Sequence, residues 1–344
     1  MTGQRPWIAG VLLAATWLAG GCSGSSVLHE ADLPSAPLAI VYRDPETARR
    51  RAEALGRDKK ETAAGIARID DVAKLVGRRS VDLFAETSGR LALLDLTTEK
   101  VTPLDVAPRG ADYPRWSPDH RQLAFVYWKD GTPETHLYDR ASGTVRRLQI
   151  GDEALVGAAP GPDGRIAVVC VRPRPKPSLR VWVLEVDGGA RPVSAGPADG
   201  APAWSPDGSL LVYVQRTEGE GDTIVAIDSD APAGAPARTL ARGNGPAFTP
   251  DGAWIVYAAT TPHGPRLFKM RPDGSGKLRL GRGVNDDTNE IMPTVSPDGV
   301  YVAYVGEGKS PEGKVLSQQL RVRRFDGTAD GEVLGEGEAS VPSW

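Results

Sequence analysis

The sequence predicts an all-β chain folded as a six-bladed β-propeller of four-stranded blades, with a short helical segment ahead of it. Three observations predict it. A phrase built on Pro-Asp returns at an almost constant interval. The 40 glycines and 29 prolines among 344 residues supply many turns, which favours many short strands over long helices. The chain ends on "VPSW", the opening of that same phrase without its remainder.

The repeat sets the period. The phrases are "YPRWSPDHRQLAFVY", "GAAPGPDGRIAVVCV", "GAPAWSPDGSLLVYV", "GPAFTPDGAWIVYAA" and "IMPTVSPDGVYVAYV". Their shared steps are Pro118-Asp119, Pro162-Asp163, Pro206-Asp207, Pro250-Asp251 and Pro297-Asp298, with successive prolines 44, 44, 44 and 47 residues apart. Ser-Pro-Asp-Gly is turn chemistry: Pro presets φ, Asp bonds its own backbone and Gly accepts a positive φ. These aspartates therefore read as structural turn residues. After each turn comes a run apolar on both faces, as expected of a strand packed between two sheets. Two further strands complete the unit, for example 223–228 and 237–241 in the third repeat.

The first strand of each unit precedes the turn. Pro114, Pro202, Pro246 and Pro293 lie two residues before Trp116, Trp204, Phe248 and Val295. A proline cannot donate to a ladder and belongs on an edge strand. The innermost strand of a propeller blade is such an edge, and the aromatic would wedge between blades. The second repeat has Ala158 and Pro160 at these places, so its inner strand is expected to be the least regular.

Pro342 and Trp344 keep the same spacing, so "VPSW" reads as an inner strand without its blade. Segments 80–87, 90–98 and 100–106 read as second, third and fourth strands without a first. Joined, they close a sixth blade and remove free sheet edges. Residues 79–344 are thus assigned to the ring. Five blades with frayed ends, or seven with "APLAIVYRD" (36–44) recruited, are the alternatives.

Ahead of the ring, residues 1–21 read as a signal peptide. Arg5 is followed by an apolar run too short to span a bilayer comfortably, then by "LAGGC", which resembles a bacterial lipobox ending on Cys22 as the lipidated residue. A plain secretory peptide is the alternative. Residues 22–78 read as a tether and a small helical segment. One helix starts at Asp44-Pro45; a second carries Ile66, Ile69, Val72 and Val76 on one face and either lies against the ring or docks a partner. Of the two cysteines, Cys170 sits within "IAVVCV" and reads as a small buried hydrophobe. A net charge of -3 with scattered Lys and Arg gives no footprint for nucleic acid.

The repeat, written loosely as P-x-W-S-P-D-G followed by an apolar strand, resembles that of the TolB-type propeller family over residues 79–344. The same phrase occurs in the propellers of prolyl oligopeptidases. The resemblance implies six blades, a periplasmic location, no enzymatic activity and binding of envelope proteins or peptide segments. TolB carries an α/β domain before its propeller, larger than the segment available here, and is soluble, whereas this chain reads as lipid-anchored.

The sequence shows no catalytic constellation. There is no G-x-S-x-G elbow, and His29, His120, His136 and His263 are dispersed without metal-ligand spacing. No cofactor or metal is expected. The candidate site is the set of loops entering the inner strands, where Asp112, Asp199, Asn244, Asp286, Asp287 and Glu290 would converge on one mouth of the channel. Such an acidic mouth would receive a basic peptide or a cation; ordinary solvated loops are the plainer reading. The function expected is a monomeric interaction scaffold for envelope proteins or peptides, anchored through Cys22 to the outer membrane. The alternative is small-ligand, glycan or cation binding, or a hydrolase or lyase activity, at the channel mouth.

Overall fold

The computed structural model describes residues 33–34, 36–48, 89–129, 132–172, 178–217, 221–281, 288–309, 315–332 and 338–344. They form six four-stranded antiparallel sheets. Blade 1 runs outward from Asp112–Trp116 through Gln122–Lys129 and Thr132–Asp139 to Val145–Arg147. Blades 2 to 5 repeat this order, with inner strands Ala154–Pro160, Asp199–Trp204, Asn244–Phe248 and Thr288–Val295. Successive inner strands touch, and the last touches the first, so the ring is closed.

Blade 6 is the composite. Its inner strand is Glu338–Ser343, and its third and fourth strands are Arg90–Asp95 and Lys100–Pro103. Its second strand differs from the expected 80–87, which lies outside the described residues. Leu38–Arg43 takes that place, pairing Tyr42 with Ala339 on one side and Ile40 with Ala92 on the other. The physical reason is burial on both faces. "LAIVY" repeats the pattern of "LAFVY" in blade 1 and is almost wholly buried, whereas 80–87 would place Asp82 and Glu86 between two sheets. The segment that suggested a seventh blade therefore completes the sixth.

The chain leaves that strand through a short helical stretch at residues 45–48. Asp44 caps it, accepting from the Thr47 backbone N–H at 2.9 Å and the Thr47 hydroxyl at 2.8 Å. These bonds hold the Asp44 carboxyl below its usual range. The rest of the expected helical segment, the leader and Cys22 lie outside the described residues.

The core lies between blades. Trp204 packs with Ala159, Val181 and Val183 of blade 2 and Leu211 and Val225 of blade 3. Its indole N–H donates to the Ala159 carbonyl at 2.9 Å. Trp344 does the same between blades 5 and 6, against Tyr301, Leu320, Leu38 and Leu94. Cys170 is 1% exposed between blades 1 and 2, and burial pushes its thiol up to about 12.

The turn aspartates do local work. Each accepts from the backbone N–H two residues on, for example Ser209 to Asp207 at 3.1 Å and Ala253 to Asp251 at 2.9 Å. Ser117, Ser205, Thr249 and Ser296 add their hydroxyls to Asp119, Asp207, Asp251 and Asp298. His120 holds the turn glycine's left-handed conformation at φ 56°.

The inner strand of blade 2 is not irregular. It spans seven residues and carries the same single register shift as the others. At the aromatic position the N–H points away from the ladder: that of Trp116 donates to Ser343 Oγ of the neighbouring blade. Pro160 at that place removes no ladder bond.

Candidate functional site at the channel

Each inner strand is bulged against its second strand. Three residues before the aromatic position the chain turns left-handed in four blades: Tyr113 (φ 53°), Ala201 (48°), Gly245 (59°) and Met292 (52°). The bulge turns the start of each inner strand toward its neighbours, which decides where the candidate acids go.

Glu290 is 5% exposed and faces protein, not the channel. Its Oε1 pairs with Arg323 at 2.6 Å, and its Oε2 accepts from the Leu267 N–H of blade 4 at 3.0 Å. Arg323 also donates to the Leu280 carbonyl at 2.7 Å and the Tyr304 hydroxyl at 3.0 Å. The pair is a buried strut between blades 4 and 5.

Asp199 is fully buried. Its Oδ2 accepts from the Gly196 N–H at 2.8 Å, while its Oδ1 has no hydrogen-bond partner. Burial pushes its pKa up; bonds from Ser194 and Gly196 and the charge of Arg180 oppose this. Asn244 joins blade 4 to blade 3 by donating to Asp222, which Arg216 holds at 2.6 and 3.0 Å. Asp112 is half-buried, with Oδ1 accepting from the Tyr113 N–H at 2.7 Å. Asp286 and Asp287 lie outside the described residues. Glu290 and Asn244 thus join neighbouring blades, and Glu290 and Asp199 are buried rather than displayed to a ligand. Among the described residues, no three His, Cys, Asp or Glu side chains are grouped to hold a metal ion.

Arg115, which sequence reading passed over, is the only Lys or Arg on the six inner strands. Aligning the repeats exposes it: the residue before the aromatic position is Ala159, Ala203, Ala247, Thr294 or Ser343 in the other blades. Burial lowers its pKa with no charged group contributing.

A profile of the TolB beta propeller domain matches residues 81–283. No curated protein matches the sequence. Among solved structures, TolB from Acinetobacter baumannii superposes with a TM-score of 0.63 at 16% identity, over 90% of this chain and 66% of that one. This chain therefore spans slightly less than two thirds of that relative's length. A protein assigned as TolB from Agrobacterium tumefaciens gives 0.58 at 20% identity, over 71% and 88%. An oligogalacturonate lyase in complex with manganese gives 0.51 at 18% identity, over 71% and 70%. At these identities the superpositions speak to fold, which TolB proteins share with an enzyme. The profile covers more than half of the chain and includes four of the five Pro-Asp steps, so the chain belongs to the TolB beta propeller family.

Proposed function

We propose that the protein is a non-enzymatic, lipid-anchored component of the cell envelope whose propeller holds partner proteins or peptide segments. Membership of the TolB propeller family carries this reading. The lipobox ending on Cys22 supports an anchored, periplasmic position. Glu290 is engaged in a buried pair with Arg323 and Asp199 is fully buried, so neither carboxylate is offered to a ligand at the channel mouth. A solved nidogen/laminin complex contains a chain that superposes with a TM-score of 0.54 at 12% identity, over 74% of this chain and 95% of that one; it gives one precedent for such rings in protein assemblies.

Two measurements test it. Labelling cells with an alkyne analogue of palmitate should tag the wild type and leave Cys22→Ala untagged. A photocrosslinking residue at Arg121 or at Asp152 should give one discrete adduct with an envelope protein. Equal labelling of both forms refutes the anchor. Absence of adducts together with turnover in a panel of oligogalacturonates and ester substrates refutes the scaffold reading.

A further inference from the structure

Among the described residues, Arg115 on the innermost strand of blade 1 has no counter-ion. It is half-buried. No described residue gives its guanidinium a hydrogen bond or ion pair. An Arg carries five N–H donors in a planar fork and stays charged in proteins. Its nitrogens are not among the buried atoms that lack a partner, so they remain open to solvent and to an incoming acceptor. Its lowered pKa has burial as the sole cause.

The neighbours explain why nothing in the protein satisfies it. The residue before the aromatic position reaches toward the next inner strand. Thr294 Oγ1 accepts from the Trp344 N–H at 3.1 Å, and Ser343 Oγ accepts from the Trp116 N–H at 3.1 Å. Arg115 holds this position in blade 1, where the next strand offers Pro160 and no N–H. The two hydroxyls at this level are already committed, and the other three positions carry alanine methyls. Among the described residues, no carboxylate stands at this level of the inner strands. One level away, Tyr113 of blade 1 and Met292 of blade 5 pack against a common cluster with Val41, Leu91 and Phe125. Arg115 lies at the end of its strand that leads into the Pro118-Asp119 turn, so the mouth rimmed by the Pro-Asp turns is the nearer one.

We propose that Arg115 anchors a carboxylate of a peptide segment that enters the channel from the Pro-Asp turn mouth. A carboxylate matches the guanidinium fork with two charge-assisted bonds. Backbone groups on the inner edges that are not already bonded to a neighbouring strand can pair with the rest of the segment. This proposal rests on the peptide-binding reading above and names the chemistry of the bound segment. The carboxylate is either a free C-terminus or an Asp or Glu side chain.

The test uses the full chain and an arrayed library of random heptapeptides, each made with a free and an amidated C-terminus. Wild type should select acidic peptides. Arg115→Met should weaken those peptides about tenfold to a hundredfold, as loss of a charged hydrogen-bonded contact does, and leave neutral peptides unchanged. Arg115→Lys should retain part of the binding. If amidation abolishes selection, the anchor reads a C-terminus; if only Asn and Gln replacements do, it reads a side chain. If wild type shows no preference for acidic peptides, or the Met variant binds them equally, the anchor is overturned while peptide binding stands. If wild type binds no peptide, both fail. Arg115→Met should also melt at or above wild type, because it removes an unpaired charge. A fall of more than about 5 °C would identify Arg115 as a structural strut and overturn the proposal.

Discussion

Trp344 closes the ring, and replacing it by alanine measures how much the closure contributes. The side chain is 8% exposed between blades 5 and 6. A buried Trp removes about 150–250 Å² from water, worth roughly 4–6 kcal/mol at about 25 cal/mol per Å² as an upper bound. Core Trp→Ala changes cost about 3–5 kcal/mol. The indole N–H bond to the Ala36 carbonyl at 3.1 Å also goes, leaving a partly buried acceptor. About 4 kcal/mol is therefore expected, a large share of the 5–15 kcal/mol typical of a domain. At roughly 2–3 °C per kcal/mol for a chain of this size, melting should fall by about 8–12 °C. Denaturant titration gives the free energy, and hydrogen exchange by mass spectrometry gives the location. Strands Leu38–Arg43 and Glu338–Ser343 should lose protection first, because only the inter-strand ladder joins them. Trp204→Ala is the control. It removes an equally buried wedge with a similar bond, from a blade whose four strands are consecutive in the chain, and should not open blade 6 selectively. A loss below about 1 kcal/mol, or unchanged protection at 38–43, would refute closure by this contact.

Glu290→Ala should destabilise by about 3–5 kcal/mol in denaturant titration, since it leaves Arg323, 2% exposed, without its carboxylate; a loss under 1 kcal/mol would mean the pair is dispensable. Ala201→Gly and Gly245→Ala test the bulge by opposite signs. The left-handed conformation costs a non-glycine residue roughly 1–2 kcal/mol against a glycine entropy cost of about 0.5–1 kcal/mol, so the first should raise the melting point slightly and the second lower it; shifts of the same sign would count against backbone strain at this position. Asp199 has a folded pKa raised by burial, so the native state binds its proton more tightly than the unfolded chain does. Its contribution is most favourable below the ordinary carboxylate pKa and is lost as pH rises through the raised folded value. The stability of wild type relative to Asp199→Asn should therefore decline as pH rises across that window, and a difference independent of pH would refute the assignment.

The period, the turns and the wedge positions were legible because their chemistry is local. Ser-Pro-Asp-Gly makes its bonds within five residues, and the two-residue offset from Pro to Trp is a property of one strand. The second strand of blade 6 was not legible in that way. Two apolar segments competed for it, and adjacency in the chain favoured the wrong one. The deciding factor was burial on both faces, visible only once neighbouring blades are in place. The burial of two of the candidate acids, Asp199 and Glu290, was not legible for a related reason. An acid at the start of an inner strand looks the same whether it is solvated or buried, and Glu290 is buried because Arg323, 33 residues away, lies against it. Arg115 was visible as the exception in a column of small residues, but the column has meaning only when the inner strands converge.

The sequence by itself determined the repeat, the number of blades and the need to close the ring with a strand from the end of the chain. These follow from turn chemistry and from strand patterns that any one repeat contains. The tertiary structure alone decided which early segment completes the last blade, that Glu290 joins blades 4 and 5, and that Arg115 has no counter-ion among the described residues. Those outcomes depend on burial and on the partner across a blade junction, and both are set by residues a blade or more away in the chain.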